Sequence, residues 1–193
     1  MKCPQYVKVG DRLYKINTDY RVAIRCEEIA QDNSISDFER ALGIICTLFG
    51  EEALDNPKNY EKLLKLAQKY LSCGKEQIDS KEKPDMDYIQ DMDLIEASFM
   101  SDYHIDLSKE NMHWWKFNNL MNGLSYSEFG NCCILNTIRN LRSIDAKDIQ
   151  DSKERKRIIE AQKFWALDKE ENHLSAEQEK SMEELNKILF GKE

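Results

Sequence analysis

The chain lacks the short motifs that announce chemistry, and each absence removes a class of function. There is no G-x-x-x-x-G-K-[ST] and no G-x-G-x-x-G, so no glycine-rich loop is present to cradle a nucleotide phosphate. The seven glycines mostly fall where helices are expected to end. Three histidines, at 104, 113 and 173, form neither H-x-x-x-H nor H-E-x-x-H, and no C-x-x-C pair occurs, so the spacings that build a zinc centre are missing. A dyad of Cys132 with His104 has no motif to support it. Asp85, Asp87, Asp91 and Asp93 do not follow the EF-hand spacing; solvation and the helix dipole account for them at a helix start. No catalytic, cofactor-binding or metal-binding residue is therefore assigned, and a non-enzymatic protein is expected.

Long apolar runs are also absent. No stretch approaches the length needed to cross a bilayer, and no signal peptide is expected. The six cysteines include one close pair, Cys132 and Cys133, whose adjacency is unsuited to an ordinary disulfide; reduced thiols, mostly in the core, are expected. A net charge of −8 disfavours nucleic acid or an anionic membrane as the main partner. The basic cluster Lys153-Glu154-Arg155-Lys156-Arg157 is interrupted by a glutamate and surrounded by acids at 145, 148, 151 and 160, which reads as a solvated helix face. What remains as a partner is protein.

The 193 residues, 41% hydrophobic, suffice for a substantial core. The pattern predicts a mainly α fold, small helical domains with a short N-terminal β-hairpin. Tyr6-Val7-Lys8-Val9 and Arg12-Leu13-Tyr14-Lys15-Ile16 flank Gly10-Asp11, a pair suited to tight reversal. A helix follows Thr18 or Asp19 to about Ala30, and Ser36-Asp37-Phe38-Glu39 has capping-box spacing for a helix ending at Gly50. Asn56-Pro57 starts the next, whose stripe stops at Gly74.

Residues 75–84 are polar and form the expected linker between an N-terminal region, 1–74, and a second helical region, 85–168. Within the second, Tyr88, Met92, Ile95, Phe99 and Tyr103 repeat at helical intervals, with Asp87, Asp91 and Glu96 opposite. Further helices are predicted from Ser127 to about Arg142, with Phe129, Cys132 and Cys133 among its apolar members, and from Lys153 to Leu167. A last helix lies within 169–193, from the capping-box spacing Ser175-Ala176-Glu177-Gln178 onward, and the whole is expected to be one folding unit.

His113-Trp114-Trp115-Lys116-Phe117-Asn118-Asn119-Leu120-Met121-Asn122-Gly123-Leu124 holds two of the three tryptophans side by side. At about 100° per residue, adjacent tryptophans cannot share a helix face. Trp114, Phe117, Leu120, Met121 and Leu124 form a stripe for the core, while Trp115 projects among Asn118, Asn119 and Asn122. Trp115 then packs inside a second layer of the same protein or meets another one. Trp115, with Met112 and Asn119, is the expected protein-contact face.

The run Asp93-Leu94-Ile95-Glu96-Ala97-Ser98-Phe99-Met100-Ser101-Asp102-Tyr103-His104-Ile105-Asp106-Leu107, followed by H-W-W-K-F and L-M-N-G-L, resembles the bacteriophage gene-product-fifteen family. The similarity extends from Ile16-Asn17-Thr18-Asp19-Tyr20-Arg21 through Arg142-Ser143-Ile144-Asp145 to Lys163-Phe164-Trp165-Ala166-Leu167, about residues 5–168. That resemblance implies a small helical protein from the tail-morphogenesis region of siphophages and prophages. It implies a tail-assembly chaperone that binds tape-measure protein, major tail protein or both, acts as a homo-oligomer in the host bacterial cytoplasm, and is absent from the mature virion. A structural virion component, such as a tail completion or connector protein, is the alternative. The family offers no catalytic residues to transfer.

Overall fold

A computed structural model of the chain describes residues 3–75, 84–126 and 132–167. These residues group into two compact units, one on each side of the 76–83 segment. Seven α-helices and a two-stranded antiparallel hairpin make up the described structure, so the fold is mainly α with an N-terminal hairpin.

In the first unit, β1 (Tyr6–Val9) and β2 (Arg12–Lys15) pair with Tyr6 opposite Lys15 and Val9 opposite Arg12. The reversal uses Gly10 at φ +58°, a left-handed conformation that a side chain disfavours. Alternation then turns Val9, Tyr14 and Ile16 inward and leaves Tyr6 and Leu13 exposed. The α1 helix (Tyr20–Gln31) begins at Asp19, whose carboxylate accepts the Arg21 N–H at 2.9 Å. The α2 helix (Asp37–Phe49) carries the full capping box: the Ser36 N–H donates to Glu39 at 2.8 Å, and the Glu39 N–H donates to the Ser36 hydroxyl at 3.3 Å. Gly50, at φ +84°, follows its last turn. The Asn56-Pro57 signal opens a 3₁₀ turn, Pro57–Asn59, and α3 (Tyr60–Leu71) continues from it.

The core of this unit joins Tyr20, Ala23, Ile24 and Cys26 of α1 to Ile45, Leu48 and Phe49 of α2 and Leu63, Ala67 and Tyr70 of α3. Burial here pushes the Cys26 thiol up to about 12, which makes it an inert packing group. Of the six thiols only Cys26 and Cys133 are fully buried, fewer than the composition suggested, and all six are free.

The second unit departs more from its sequence pattern. The α4 helix runs Met92–Tyr103, and Tyr88 stays outside it. Asp87 folds residues 88–91 into a turn, accepting the Ile89 and Gln90 N–H groups at 2.7 and 2.8 Å. Asp91, expected on a solvated face, is buried at 2% exposure. Its carboxylate takes a two-point ion pair from Arg142 at 2.6 and 2.7 Å and also accepts the Asp87 N–H at 3.1 Å. The α5 helix spans Trp114–Asn122. The α6 helix spans Ile134–Ser143, starting later than its apolar pattern implied. Cys133 is its N-cap in extended backbone, and the missing cap is supplied by α4, where the buried Ser98 hydroxyl accepts the Leu135 N–H at 3.2 Å.

Residues 127–131, including Phe129, lie outside the described residues, as do the linker core 76–83 and the predicted C-terminal helix. The α7 helix (Ser152–Phe164) starts from Asp151, which accepts the Lys153 and Glu154 N–H groups, and none of its residues is fully buried. Its predicted face of Ile158, Ala161 and Trp165 is half-buried.

Arg142 ties these parts together. Besides Asp91, its guanidinium donates to the Asp85 carbonyl at 3.0 Å and to the Trp165 carbonyl at 2.7 Å, linking the start of α4, the end of α6 and the end of α7. Removing one partner of a buried, two-point pair strands the other's charge and costs about 3–5 kcal/mol. Arg142→Ala should therefore cost roughly that much in chemical denaturation followed by tryptophan fluorescence, which reports this unit because Trp114, Trp115 and Trp165 all belong to it. A loss below about 1 kcal/mol would show the pair to be peripheral.

Candidate functional site

The α5 helix is short, nine residues, and is held in place by the groups at its two ends. At its start His113 is the N-cap: its Nδ1 accepts the Trp115 N–H at 3.0 Å. That places the imidazole in the role usually taken by Ser or Asp. The histidine of H-W-W-K-F is thus a helix-starting residue.

The first tryptophan goes inward. Trp114, 2% exposed, stacks on Phe117 at a centroid distance of 5.7 Å and meets Tyr88 edge-on at 5.5 Å. Phe117 stacks in turn on Phe99 of α4 at 5.2 Å, and Tyr103 meets Phe99 edge-on at 5.7 Å. Met121 and Leu124 complete the buried stripe. Leu120, assigned to the same stripe, is half-buried.

Trp115 is half-buried, with its ring edge-on to His113 at 6.5 Å. Asn119, one turn further along, is exposed, as are Lys116 and Asn122. Met112 is 5% exposed and belongs to the unit's own core. Burial of its thioether removes it from any accessible face, so of the three expected contact residues Trp115 and Asn119 share the outer side of α5 and Met112 does not. The asparagines are not idle: Asn118 donates to the Tyr88 hydroxyl at 3.2 Å, and Asn122 donates to the Asn118 carbonyl at 2.7 Å.

At the far end of α5 the glycine of L-M-N-G-L has a packing reason. Tyr103 donates its hydroxyl to the Leu120 carbonyl at 2.9 Å, and a Cβ on Gly123 would lie 2.9 Å from that hydroxyl oxygen. Asp102 holds the chain beyond, accepting the Ser125 N–H at 2.7 Å, and this backbone bond keeps the Asp102 carboxyl below the usual carboxylate range. His104 serves as the left-handed C-cap of α4 at φ +54°. Among the described residues no three His, Cys, Asp or Glu groups converge as metal ligands, and no helix is long and apolar enough to cross a membrane.

The signals missed in the sequence were those whose partners lie far along the chain. Nothing near Asp91 points to Arg142, and nothing near Leu135 points to Ser98. The aromatic spacing of α4 and α5, by contrast, was sufficient to place Trp114, Phe117 and Phe99 in one core.

Comparison with known families settles the lineage. The family described as Bacteriophage Gp15 protein matches residues 2–167. The chain belongs to that family. Membership supports a role in phage structure or morphogenesis. No curated protein and no solved structure matches the chain.

In this family member, Gly123→Ala should push the Tyr103 hydroxyl off the Leu120 carbonyl and cost about 1 kcal/mol, the worth of one such hydrogen bond. On a Tyr103→Phe background the same substitution should cost less, and a double-mutant cycle by urea denaturation checks this. Equal costs on both backgrounds would mean that the close approach to Tyr103 is not what the glycine serves.

Proposed function

We infer that this protein is a non-enzymatic tail-assembly chaperone, binding tape-measure protein, major tail protein or both during phage tail morphogenesis and leaving before the virion is complete. The reading takes it to act as a homo-oligomer in the host bacterial cytoplasm. Family membership supports the morphogenesis setting. The observation that carries the chaperone reading is the division of the tryptophan pair. Trp114 is sealed in an aromatic core, whereas Trp115 and Asn119 lie on the outer side of a helix fixed by the His113 cap and the Tyr103 hydroxyl.

A rigid helix presenting a partly exposed indole is suited to reversible protein contact. The ring brings large area at low entropy cost, and its N–H gives direction. An unassembled tape-measure chain exposes apolar helical stripes, and an acidic chaperone can cover them and still remain soluble. The net charge of −8 suits that task.

Affinity capture of a tagged copy from infected or prophage-induced cells, with mass spectrometry of captured proteins and of purified virions, tests the reading. Recovery with tape-measure or major tail protein and absence from virions supports it. Stoichiometric presence in virions would replace it with the structural-component reading. Within that assay Trp115→Ala should reduce capture about tenfold or more, as loss of an interface tryptophan does. Its cooperative melt should change by less than about 1 kcal/mol. A stability loss of about 3–5 kcal/mol would instead assign Trp115 to the core.

A further inference from the structure

Among the described residues the outer edge of β2 is open, and its bonding pattern follows from two hydrogen bonds. The Ile16 N–H donates to the Gln5 carbonyl at 2.9 Å, continuing the register that sets Tyr6 opposite Lys15. Bonded and non-bonded pairs alternate along an antiparallel ladder. With Gln5 and Ile16 a bonded pair, Val7 with Tyr14 and Val9 with Arg12 are bonded too. The N–H and C=O groups of Leu13, Lys15 and Asn17 therefore point away from β1. Asn17 shows what lies on that side, because its N–H donates to the Leu48 carbonyl near the end of α2 at 2.8 Å. Leu13 and Lys15 make no such bond among the described residues.

These open groups border a cleft of about 550 Å³, walled by Tyr6, Leu13, Phe49, Gly50, Glu51 and Glu52. Both ends are fixed. The Asn17–Leu48 bond ties β2 to the end of α2 beyond Lys15, and at the other end Arg12 reaches from the hairpin to Glu52 at 3.3 Å and Asp55 at 3.4 Å. The Gly50 wall is bare, since a Cβ there would meet nothing within 4 Å. Tyr6 and Leu13 are 52% and 61% exposed and offer apolar surface. Glu51 makes no ion pair among the described residues, and around the cleft Glu51, Glu52 and Asp55 exceed Lys15 and Arg12 by one charge.

We propose that this slot takes an extended segment of a partner protein, added to β2 as a third strand and alternating apolar with basic side chains. The backbone of Leu13 and Lys15 supplies the hydrogen bonds, Tyr6 and Leu13 hold the apolar side chains, and the unpaired Glu51 selects basic ones. A slot fixed at both ends is preorganised, so binding orders the peptide alone. The site lies in the first unit and does not depend on the tryptophan face.

The test is hydrogen exchange by NMR on the full ¹⁵N-labelled chain, titrated with an end-capped heptapeptide alternating valine and lysine. The Leu13 and Lys15 amides should gain about tenfold protection when the peptide reaches about ten times its Kd, while the already bonded Tyr14 amide changes little. A peptide N-methylated at alternate positions should give no protection, and the valine–glutamate peptide far less.

The proposal is overturned by equal protection from the N-methylated peptide, or by the absence of any protection. It is also overturned if these amides gain protection with protein concentration alone, which would assign the edge to a second copy of the chain. Lys15→Pro removes the outward N–H without touching a ladder bond and should abolish peptide binding. Val7 and Tyr14 amide shifts monitor whether that variant keeps the hairpin, and unchanged binding by an intact hairpin would equally overturn the proposal. Trp115→Ala should bind the peptide as the parent does, which keeps this outcome separate from that of the chaperone reading.

Discussion

The contact between Asp91 and Arg142 is the constraint on which the second unit depends. Both side chains are withdrawn from water, at 3% and 11% exposure, so each charge is tolerable only while the other is in place. The pair also fixes geometry. Its carboxylate end belongs to the turn that starts α4, and its guanidinium end reads carbonyls on both sides of α6, from Asp85 and Trp165. A planar fork with fixed donor directions can hold three chain segments at once in a way that a lysine ammonium cannot. Arg139 adds a more exposed pair with Asp85 at 3.0 Å, tightening the same segment. The aromatic stack of Trp114, Phe117, Phe99 and Tyr88 then forms next to α4, whose start the ion pair has set.

What the sequence revealed and what it hid divide along the distance between partners. Ser36 and Glu39 are three residues apart, and their reciprocal bonds could be read from spacing alone; the same holds for Gly10-Asp11 and Asn56-Pro57. Asp91 and Arg142 are 51 positions apart, and Ser98 caps a helix 37 positions away. An aspartate beside three others reads as solvated because local context carries no record of a distant arginine. A serine within a helical stripe reads as a weak helix former for the same reason. The start of α6 was misplaced on that account: Cys132 and Cys133 fit an apolar helical pattern, but the cap that ends the extended backbone at Cys133 comes from another helix.

The candidate face was legible to the extent that it rests on helical angle. That Trp114 and Trp115 must diverge is geometry, and the first is sealed while the second is half-buried. Met112 was assigned to the outer side by proximity in sequence, yet it precedes the cap, where helical angles do not apply, and the chain turns it into the core. His113 is the hinge between the two regimes. Its ring nitrogen closes the first turn of α5, so the residues before it obey the loop and those after it obey the helix.

On the chaperone reading, neither surface has to be strong. A half-buried indole on one short helix and a two-residue strand edge each bury little area, and such contacts release quickly. A long, repetitive partner changes the arithmetic, because neighbouring contacts along it are held at high effective concentration and many weak grips add to firm occupancy. Removal of a few grips by a growing tail then frees the rest without any single tight contact to break. A chain that covers apolar surface temporarily gains from this distribution: the second unit is held by the Asp91–Arg142 junction and the aromatic stack, and Trp115 and Asn119 belong to neither.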